Sequence, residues 1–272
     1  MSWTLSQSFD FQGQEVRYDV RGEGAPLVLV HGTPWSSFNW RHLIPRLAES
    51  WTVHYFDLLG YGQSEQRDDQ DVSLGVQNEV LAGLLKHWEL ESPTIIGHDF
   101  GGATVLRSHL LNGCACEKIV LVDAVALAPW GSPFFAHVNK HEEAFQGVPD
   151  YIHEAIVTAY VKGAMHTPMP EETLQGILRP WSGEAGRKAF YRQIAQASQR
   201  YTDEVEPLYG DIQVPVLVAW GEEDEWIPIA KGRELCRRIP DAQFVPIVDA
   251  GHLAQEDAPD ELFDIIQTFI SR

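Results

Sequence analysis

Residues 95–102, with the sequence Ile-Ile-Gly-His-Asp-Phe-Gly-Gly, constrain the fold of this chain more than any other segment. A short β-branched run ends at a glycine, a polar residue stands at the apex, and two glycines open an apolar stretch with helical periodicity at 103–111. The pattern predicts a strand, a sharp turn and a helix. Glycines at 97 and 101 would let the strand and helix backbones approach closely, so that the apex side chain, Asp99, is pushed into the open.

The rest of the chain predicts the sheet around this turn. Apolar runs typical of buried parallel strands lie at residues 27–30, 52–56, 118–123, 214–220 and 243–248, and a hairpin is predicted at 9–11 and 15–20. Helices are predicted within residues 35–50, 72–88, 229–238 and 259–270. Strands that alternate with helices indicate an α/β fold with a mostly parallel, doubly wound sheet.

Residues 127–209 break this alternation. They contain no credible strand but several helical stretches that are rich in aromatic residues and interrupted by prolines. A helical block between two sheet strands predicts a cap over the carboxyl ends of the strands. We therefore expect a core domain of residues 1–126 and 210–272 and a helical cap domain of residues 127–209.

Charge and hydropathy limit the partners. The chain has 20 Lys and Arg against 39 Asp and Glu, a net charge of −19, which argues against nucleic acid and anionic membranes. Residues 1–5 lack a basic segment followed by an apolar run, and no stretch of 18 apolar residues occurs. We expect a cytoplasmic protein, monomer or homodimer, that acts on a small apolar molecule.

Metal and disulfide sites find little support. His137 and His141 are four residues apart, but the segment lacks the glutamate of the H-E-x-x-H motif and no third ligand is evident. Cys114 and Cys116 are too close for an ordinary structural disulfide, and no second Cys or His pair follows at zinc-finger spacing. We expect free thiols, no metal and no cofactor.

Asp99, Asp224 and His252 all fall where predicted strands end, the edge at which α/β sheets form their sites. A carboxylate that attacks a saturated carbon gives an ester that water can cleave, whereas attack on an acyl carbon gives a labile anhydride. His252 would activate the water, and Asp224 would hold its tautomer and stabilise the imidazolium. Asp123, after the preceding strand, is the competing acid.

Five segments in chain order carry a family resemblance: residues 31–34, 57–64, 97–102, 221–224 and 250–252. They resemble motifs of the Asp-nucleophile α/β-hydrolases, which include the epoxide hydrolases and the haloalkane and haloacid dehalogenases. The resemblance implies an α/β-hydrolase fold with Asp99 as the nucleophile. It also implies an oxyanion hole formed by the backbone amides of Thr33 and Phe100. We interpret His31 as a packed residue that holds this loop and assign it no chemistry.

Positions near the nucleophile separate the members of this branch. Haloalkane dehalogenases carry Trp directly after the nucleophile and often Asn after His-Gly, where this chain has Phe100 and Thr33. Fluoroacetate dehalogenases place arginines beside the nucleophile, and neither Phe100 nor Ala103 is one. Both halide donors and the carboxylate-binding arginines are therefore absent.

The cap segment Phe190-Tyr191-Arg192 resembles that of epoxide hydrolases, which implies Tyr191 as a proton donor. The second cap tyrosine of that family is replaced by Ile177, and Tyr160 or Tyr151 could substitute for it.

We therefore expect an epoxide hydrolase. A dehalogenase with the same triad is the alternative, and a non-catalytic small-molecule binding protein of the same fold is the second alternative. The substrate-binding residues expected are Trp35, Trp130, Tyr160 and Tyr151.

Overall fold

The computed structural model describes residues 3–272; Met1 and Ser2, part of the N-terminal segment considered above, lie outside the described residues. Its strands are β1 (Gln7–Phe11), β2 (Gln14–Arg21), β3 (Ala25–Val30), β4 (Trp51–Phe56), β5 (Thr94–His98), β6 (Ile119–Val122), β7 (Val216–Gly221) and β8 (Gln243–Ile247). They form one 8-stranded sheet in the order β1-β2-β4-β3-β5-β6-β7-β8. The β1–β2 and β2–β4 pairs are antiparallel, and every later pair is parallel.

The helices are α1 (Ile44–Leu47), α2 (Leu74–His87), α3 (Phe100–Leu111), α4 (Pro133–Gln146), α5 (Asp150–Lys162), α6 (Glu171–Leu178), α7 (Gly183–Ala195), α8 (Arg200–Asp203), α9 (Ile229–Arg238), α10 (Ala254–Asp257) and α11 (Pro259–Ile270). None of the helices within residues 3–272 is long and apolar enough to cross a membrane.

Alternate residues of the central strands face opposite layers, because successive side chains of a strand point to opposite faces. On one face, Val28 and Ile95 belong to the core that includes α2 and α3. On the other, Leu29 and Ile96 pack in the core that includes α11. The fold predicted from the sequence, a mostly parallel sheet covered on both faces, is confirmed.

The segment at 35–50 differs from its prediction. Instead of one helix it holds a 3₁₀ turn, Ser37–Trp40, and the single turn of α1. Pro45 explains the interruption, since proline has no N–H and cannot continue a helix that begins before it.

The helices α4 to α8 lie between β6 and β7 in the chain, within the range expected for the cap. Several side-chain hydrogen bonds join this segment to loops of the core. The indole of Trp181 donates to the carbonyl of Pro34 at 2.9 Å, and Gln196 accepts from the amide of Val72 at 2.7 Å. The cap is thereby held over the carboxyl ends of β3 to β7.

Candidate active site

Asp99 occupies the turn between β5 and α3 with φ 52° and ψ −120°, a left-handed conformation. The neighbouring glycine makes this turn possible: a Cβ on Gly97 would lie 2.5 Å from the carbonyl oxygen of Gly101. Since real Cβ atoms do not approach that closely, only glycine lets strand and helix meet here. Backbone strain of this kind is costly and is found where it positions a functional side chain.

The Asp99 carboxylate has different surroundings on its two oxygens. Oδ1 accepts a hydrogen bond from the Thr33 amide at 2.6 Å, and Oδ2 lies 3.2 Å from Nε2 of His252. The Phe100 amide is the first of α3, and the first amides of a helix have no partner within it. One oxygen is thus held by the loop after β3, and the other faces the histidine.

His252 is fully buried and joins two carboxylates. Its Nδ1 lies 2.9 Å from Oδ2 of Asp224, while Oδ1 of Asp224 accepts from the amides of Trp226 and Ile227, each at 2.8 Å. Burial alone would lower the pKa of His252, but the charge and hydrogen bond of Asp224 and the close contact with the Asp99 carboxylate raise it well above its usual value. The structure therefore brings Asp99, His252 and Asp224 together in one line of contacts.

Asp123, the competing acid, has a different environment. Its Oδ1 accepts from the amide of Gly221 at 2.8 Å, and its Oδ2 is buried with no hydrogen-bond partner in the described part of the chain. Burial, followed by the nearby charge of Asp224, raises the pKa of Asp123 well above its usual value. Asp224, and not Asp123, is the carboxylate hydrogen-bonded to the imidazole.

A cavity of about 310 Å³ opens above Asp99 between core and cap. Its walls are largely aromatic or aliphatic, and it is lined by Thr33, Asp99, Phe100, Val125, Trp130, Gly131, Ser132, Pro133, Phe135, Tyr160, Glu225, Trp226 and Ile227. No Lys, Arg or His is among these described lining residues. A larger cleft of about 890 Å³ runs along polar residues of the cap edge, and Asp99 is not part of it. The aromatic cavity is the one that contains the candidate nucleophile.

Residues 27–265 match the profile of the alpha/beta hydrolase family. The chain belongs to this family. An α/β-hydrolase-fold protein from Burkholderia ambifaria superposes with a TM-score of 0.94 at 46% identity, covering 99% of this chain and 98% of its own.

Among curated relatives of the hydrolase, the uncharacterized hydrolase YugF of Bacillus subtilis is 26% identical over 247 residues, 90% of this chain and 89% of its own. The cis-3-alkyl-4-alkyloxetan-2-one decarboxylase of Shewanella oneidensis is 26% identical over 286 residues, 95% of this chain and 86% of its own. These similarities support the family assignment. They do not show which reaction this hydrolase catalyses.

Tyr191, the predicted proton donor, does not face the cavity that contains Asp99. Its side chain is fully buried, it does not line the cavity, and its hydroxyl lies 3.1 Å from Nδ1 of His153 inside the cap. The helix explains this placement: Gln193 of the same helix faces the core loop that holds Thr33, and two residues turn an α-helix by about 200°. The expectation that Tyr191 faces the nucleophile is therefore corrected.

Of the two substitutes considered for a cap donor, only Tyr160 reaches the cavity. Tyr151 is 71% exposed, so its expected substrate contact is also corrected. Nine residues separate them on α5, a rotation that leaves about 180° between their faces. Burial raises the pKa of Tyr160 well above its usual value, and the charge of Asp99 raises it further.

The two tryptophans expected at the substrate have different positions. Trp130 lines the cavity, and its indole donates to Oγ1 of Thr202 at 2.8 Å. Trp35 is buried and does not line the cavity, so its expected contact with the substrate is corrected. Its ring stacks on Trp226, which does line the cavity, at a centroid distance of 5.6 Å.

Trp226 is a lining residue that sequence reasoning missed. Its ring stacks on Tyr160 at 4.5 Å and on His252 at 5.1 Å between centroids. The signal available in the sequence was its place two residues after Asp224, in the loop that carries the acid. Loops at the carboxyl ends of strands supply both catalytic and binding side chains.

His31 bridges two loops beside the site. Its Nδ1 lies 2.8 Å from the carbonyl oxygen of Gly32, and its Nε2 accepts from the amide of Leu58 at 2.8 Å. Burial lowers the pKa of His31 to about 4. This neutral, doubly bonded ring holds the loop that carries Thr33.

Proposed function

We propose that this hydrolase opens an epoxide to a vicinal diol through an ester on Asp99. One observation carries the proposal: a phenol, Tyr160, and a carboxylate, Asp99, line the same cavity, and the carboxylate is close enough to raise the pKa of the phenol. Opening an epoxide needs a nucleophile for the ring carbon and a proton for the departing oxygen.

In the first step, a carboxylate oxygen of Asp99 attacks a ring carbon while the bond from that carbon to the epoxide oxygen breaks. The Tyr160 hydroxyl gives its proton to the alkoxide that forms. The pKa of Tyr160 is raised, so its hydroxyl is protonated at neutral pH. The alkoxide is a stronger base than a phenolate and can therefore take this proton. Tyr191 has no part in this step, since its hydroxyl is occupied by His153.

In the second step, His252 takes a proton from water, and the hydroxide attacks the carboxyl carbon of the Asp99 ester. The Thr33 amide, which already binds Oδ1, is placed to stabilise the oxyanion. Breaking the acyl bond releases the diol with the proton from His252, and the other proton of the water returns to the Tyr160 phenolate as the Asp99 carboxylate re-forms. Every group ends in its starting state.

Cavity charge argues against anionic substrates. The lining contains two carboxylates, Asp99 and Glu225, and no described lining residue is cationic. A haloacid would bring its own carboxylate close to these groups without a compensating charge. We therefore propose a neutral epoxide with a compact apolar or aryl substituent, which the rings of Phe100, Phe135 and Trp226 would cover.

The halide alternative lacks the tryptophan donor expected directly after the nucleophile. A leaving halide needs N–H groups, but Phe100 follows the nucleophile and the indole of Trp130 is bonded to Thr202. An epoxide needs one O–H instead, and Tyr160 supplies it. The oxetan-2-one named for the Shewanella oneidensis relative is also a strained oxygen ring, so this ring belongs in the substrate test.

The test is incubation of the purified protein with styrene oxide, 1,2-epoxyhexane, sodium glycidate, 1-bromohexane and a 3,4-dialkyloxetan-2-one, with Asp99→Asn as the control. We expect diols from the two neutral epoxides, little from the anionic glycidate, and no product with the variant. Bromide release without any diol would instead support the dehalogenase. Binding of the ligands without any product would support a binding protein.

A further inference from the structure

Gln193 of α7 connects the cap to the core loop that carries Thr33, the residue whose backbone amide binds Asp99. Its side chain is 2% exposed, and its Oε1 accepts from the hydroxyl of Tyr61 at 3.1 Å and from the hydroxyl of Thr33. The hydroxyls of Tyr61 and Thr33 are themselves 3.4 Å apart. A single cap side chain thus holds two hydroxyls of the core.

The amide and the hydroxyl of Thr33 make polar contacts in different directions. Its amide donates to Oδ1 of Asp99 at 2.6 Å, and its hydroxyl donates to Gln193. Since amide and side chain share one Cα, fixing the hydroxyl restricts rotation of the peptide that carries the amide. Gln193 lies outside the cavity lining and can act on the nucleophile only through Thr33.

We infer that Gln193 is a positioning residue that sets the Thr33 amide on Asp99 and so makes the reactivity of the core site depend on docking of the cap. An amide held in place before reaction stabilises developing charge without a cost of reorientation. Small displacements of such a donor have large effects on rate. The kinetic part of this inference rests on the proposed function, and its structural part does not.

Gln196, three residues further along the chain, provides a matched control. Its Oε1 accepts from the amide of Val72 at 2.7 Å, and its Nε2 donates to the carbonyl of Gln70 at 2.9 Å. It is therefore another glutamine that joins cap to core through hydrogen bonds, but it makes no contact with Thr33. Loss of either glutamine weakens docking of the cap, and only loss of Gln193 releases the Thr33 hydroxyl.

The experiment compares Gln193→Met with Gln196→Met by amide hydrogen exchange followed by NMR, which needs no substrate. We expect exchange at the Thr33 amide to accelerate by about tenfold in Gln193→Met and to stay near the wild-type rate in Gln196→Met. Gln193→Glu, which keeps an acceptor oxygen, should retain most of the protection. Equal acceleration in both methionine variants, or none in Gln193→Met, would overturn the inference.

Hydrolysis of the Asp99 adduct formed with styrene oxide supplies the second readout, because the oxyanion that the Thr33 amide would stabilise forms in that step. Gln193→Met should slow decay of the adduct by about tenfold while leaving the alkylation rate at saturating substrate within about twofold. Thr33→Val, which removes the same contact from the core side, should match it, and the double variant should be no slower than either single variant. A fully additive double variant would contradict the coupling.

If no epoxide reacts with the wild-type protein, the proposed function fails, and the exchange experiment still decides the structural part.

Discussion

Nε2 of His252 lies 3.2 Å from Oδ2 of Asp99 without the alignment of a hydrogen bond. The imidazole is thus placed between the nucleophile and Asp224, both of which raise its pKa against the effect of burial. Ester formation would neutralise Asp99 and remove one of these charges, so the pKa of His252 would fall. In the proposed cycle, His252 therefore releases its proton to solvent after alkylation, acts as the base, and takes up a proton again when the Asp99 carboxylate re-forms.

Asp99→Asn should abolish diol formation and leave the fold intact. The amide oxygen of asparagine can still accept from the Thr33 amide, and asparagine tolerates the left-handed backbone at this position better than alanine. Circular dichroism and product chromatography on the same sample check both parts. Full activity of the folded variant would remove Asp99 from the mechanism.

His252→Gln should complete the first half-reaction and then stall, because the carboxylate nucleophile is intact and the base is gone. After addition of styrene oxide, mass spectrometry of the digested protein should show one adduct, on the peptide that contains Asp99. An adduct on another peptide, or turnover at the wild-type rate, would contradict the assignment of the base.

Tyr160→Phe should slow alkylation of Asp99 by about 10²-fold, since it removes the only proposed proton donor and keeps the ring stacked on Trp226. The matched control is Tyr191→Phe, because the hydroxyl of Tyr191 is hydrogen-bonded to His153 and does not face the cavity. That change should leave the alkylation rate near wild type. It should destabilise the protein by about 1–3 kcal/mol, because the buried Nδ1 of His153 would lose its hydrogen-bond partner. Rapid-quench kinetics and urea unfolding separate the two effects. The reverse pattern would restore Tyr191 as the donor.

Asp224→Asn should slow hydrolysis of the ester by about 10⁴-fold, as loss of the orienting acid does in serine triads. Asp123→Asn should have a small effect, because the raised pKa of Asp123 favours its neutral form and an asparagine oxygen can still accept from Gly221. Decay of the covalent adduct after a short exposure to styrene oxide measures this step. A large effect at position 123 with a small one at 224 would exchange the roles of the two acids.

Acid should destabilise the protein through its buried histidines. Burial lowers the pKa of His31 and His98 to about 4 each, whereas an unfolded histidine has a pKa of about 6.5. The unfolded state therefore binds more protons between these values, so stability is complete above pH 6.5 and is lost as the pH falls toward 4. Each histidine should cost about 2 kcal/mol between pH 6.5 and 4.5. Urea unfolding at both pH values measures the loss, and His31→Asn should show a difference smaller by about that amount. An unchanged difference in the variant would show that His31 does not titrate as inferred.

The sharp turn at Asp99 and the sheet could be predicted from the sequence because their signals are local. Glycines at 97 and 101 report a close approach of two backbones a few residues apart, and an apolar run reports a strand buried on both faces. Chain order then places Asp99, Asp224 and His252 at one edge, since parallel strands all end on the same side of the sheet. The proximity of these three residues was in this sense already implied by the sequence.

The wall of the cavity was decided by tertiary structure alone. The sequence favours Tyr191 as the donor, with Tyr160 and Tyr151 as substitutes for a second one, and only the rotation of α5 and α7 against the core turns Tyr160 toward Asp99 and the other two away. A helix carries side chains on every face, so its sequence shows which residues could reach a site but not which face is docked there. The link from Gln193 to Thr33 joins residues 160 positions apart, and no local pattern encodes such a contact.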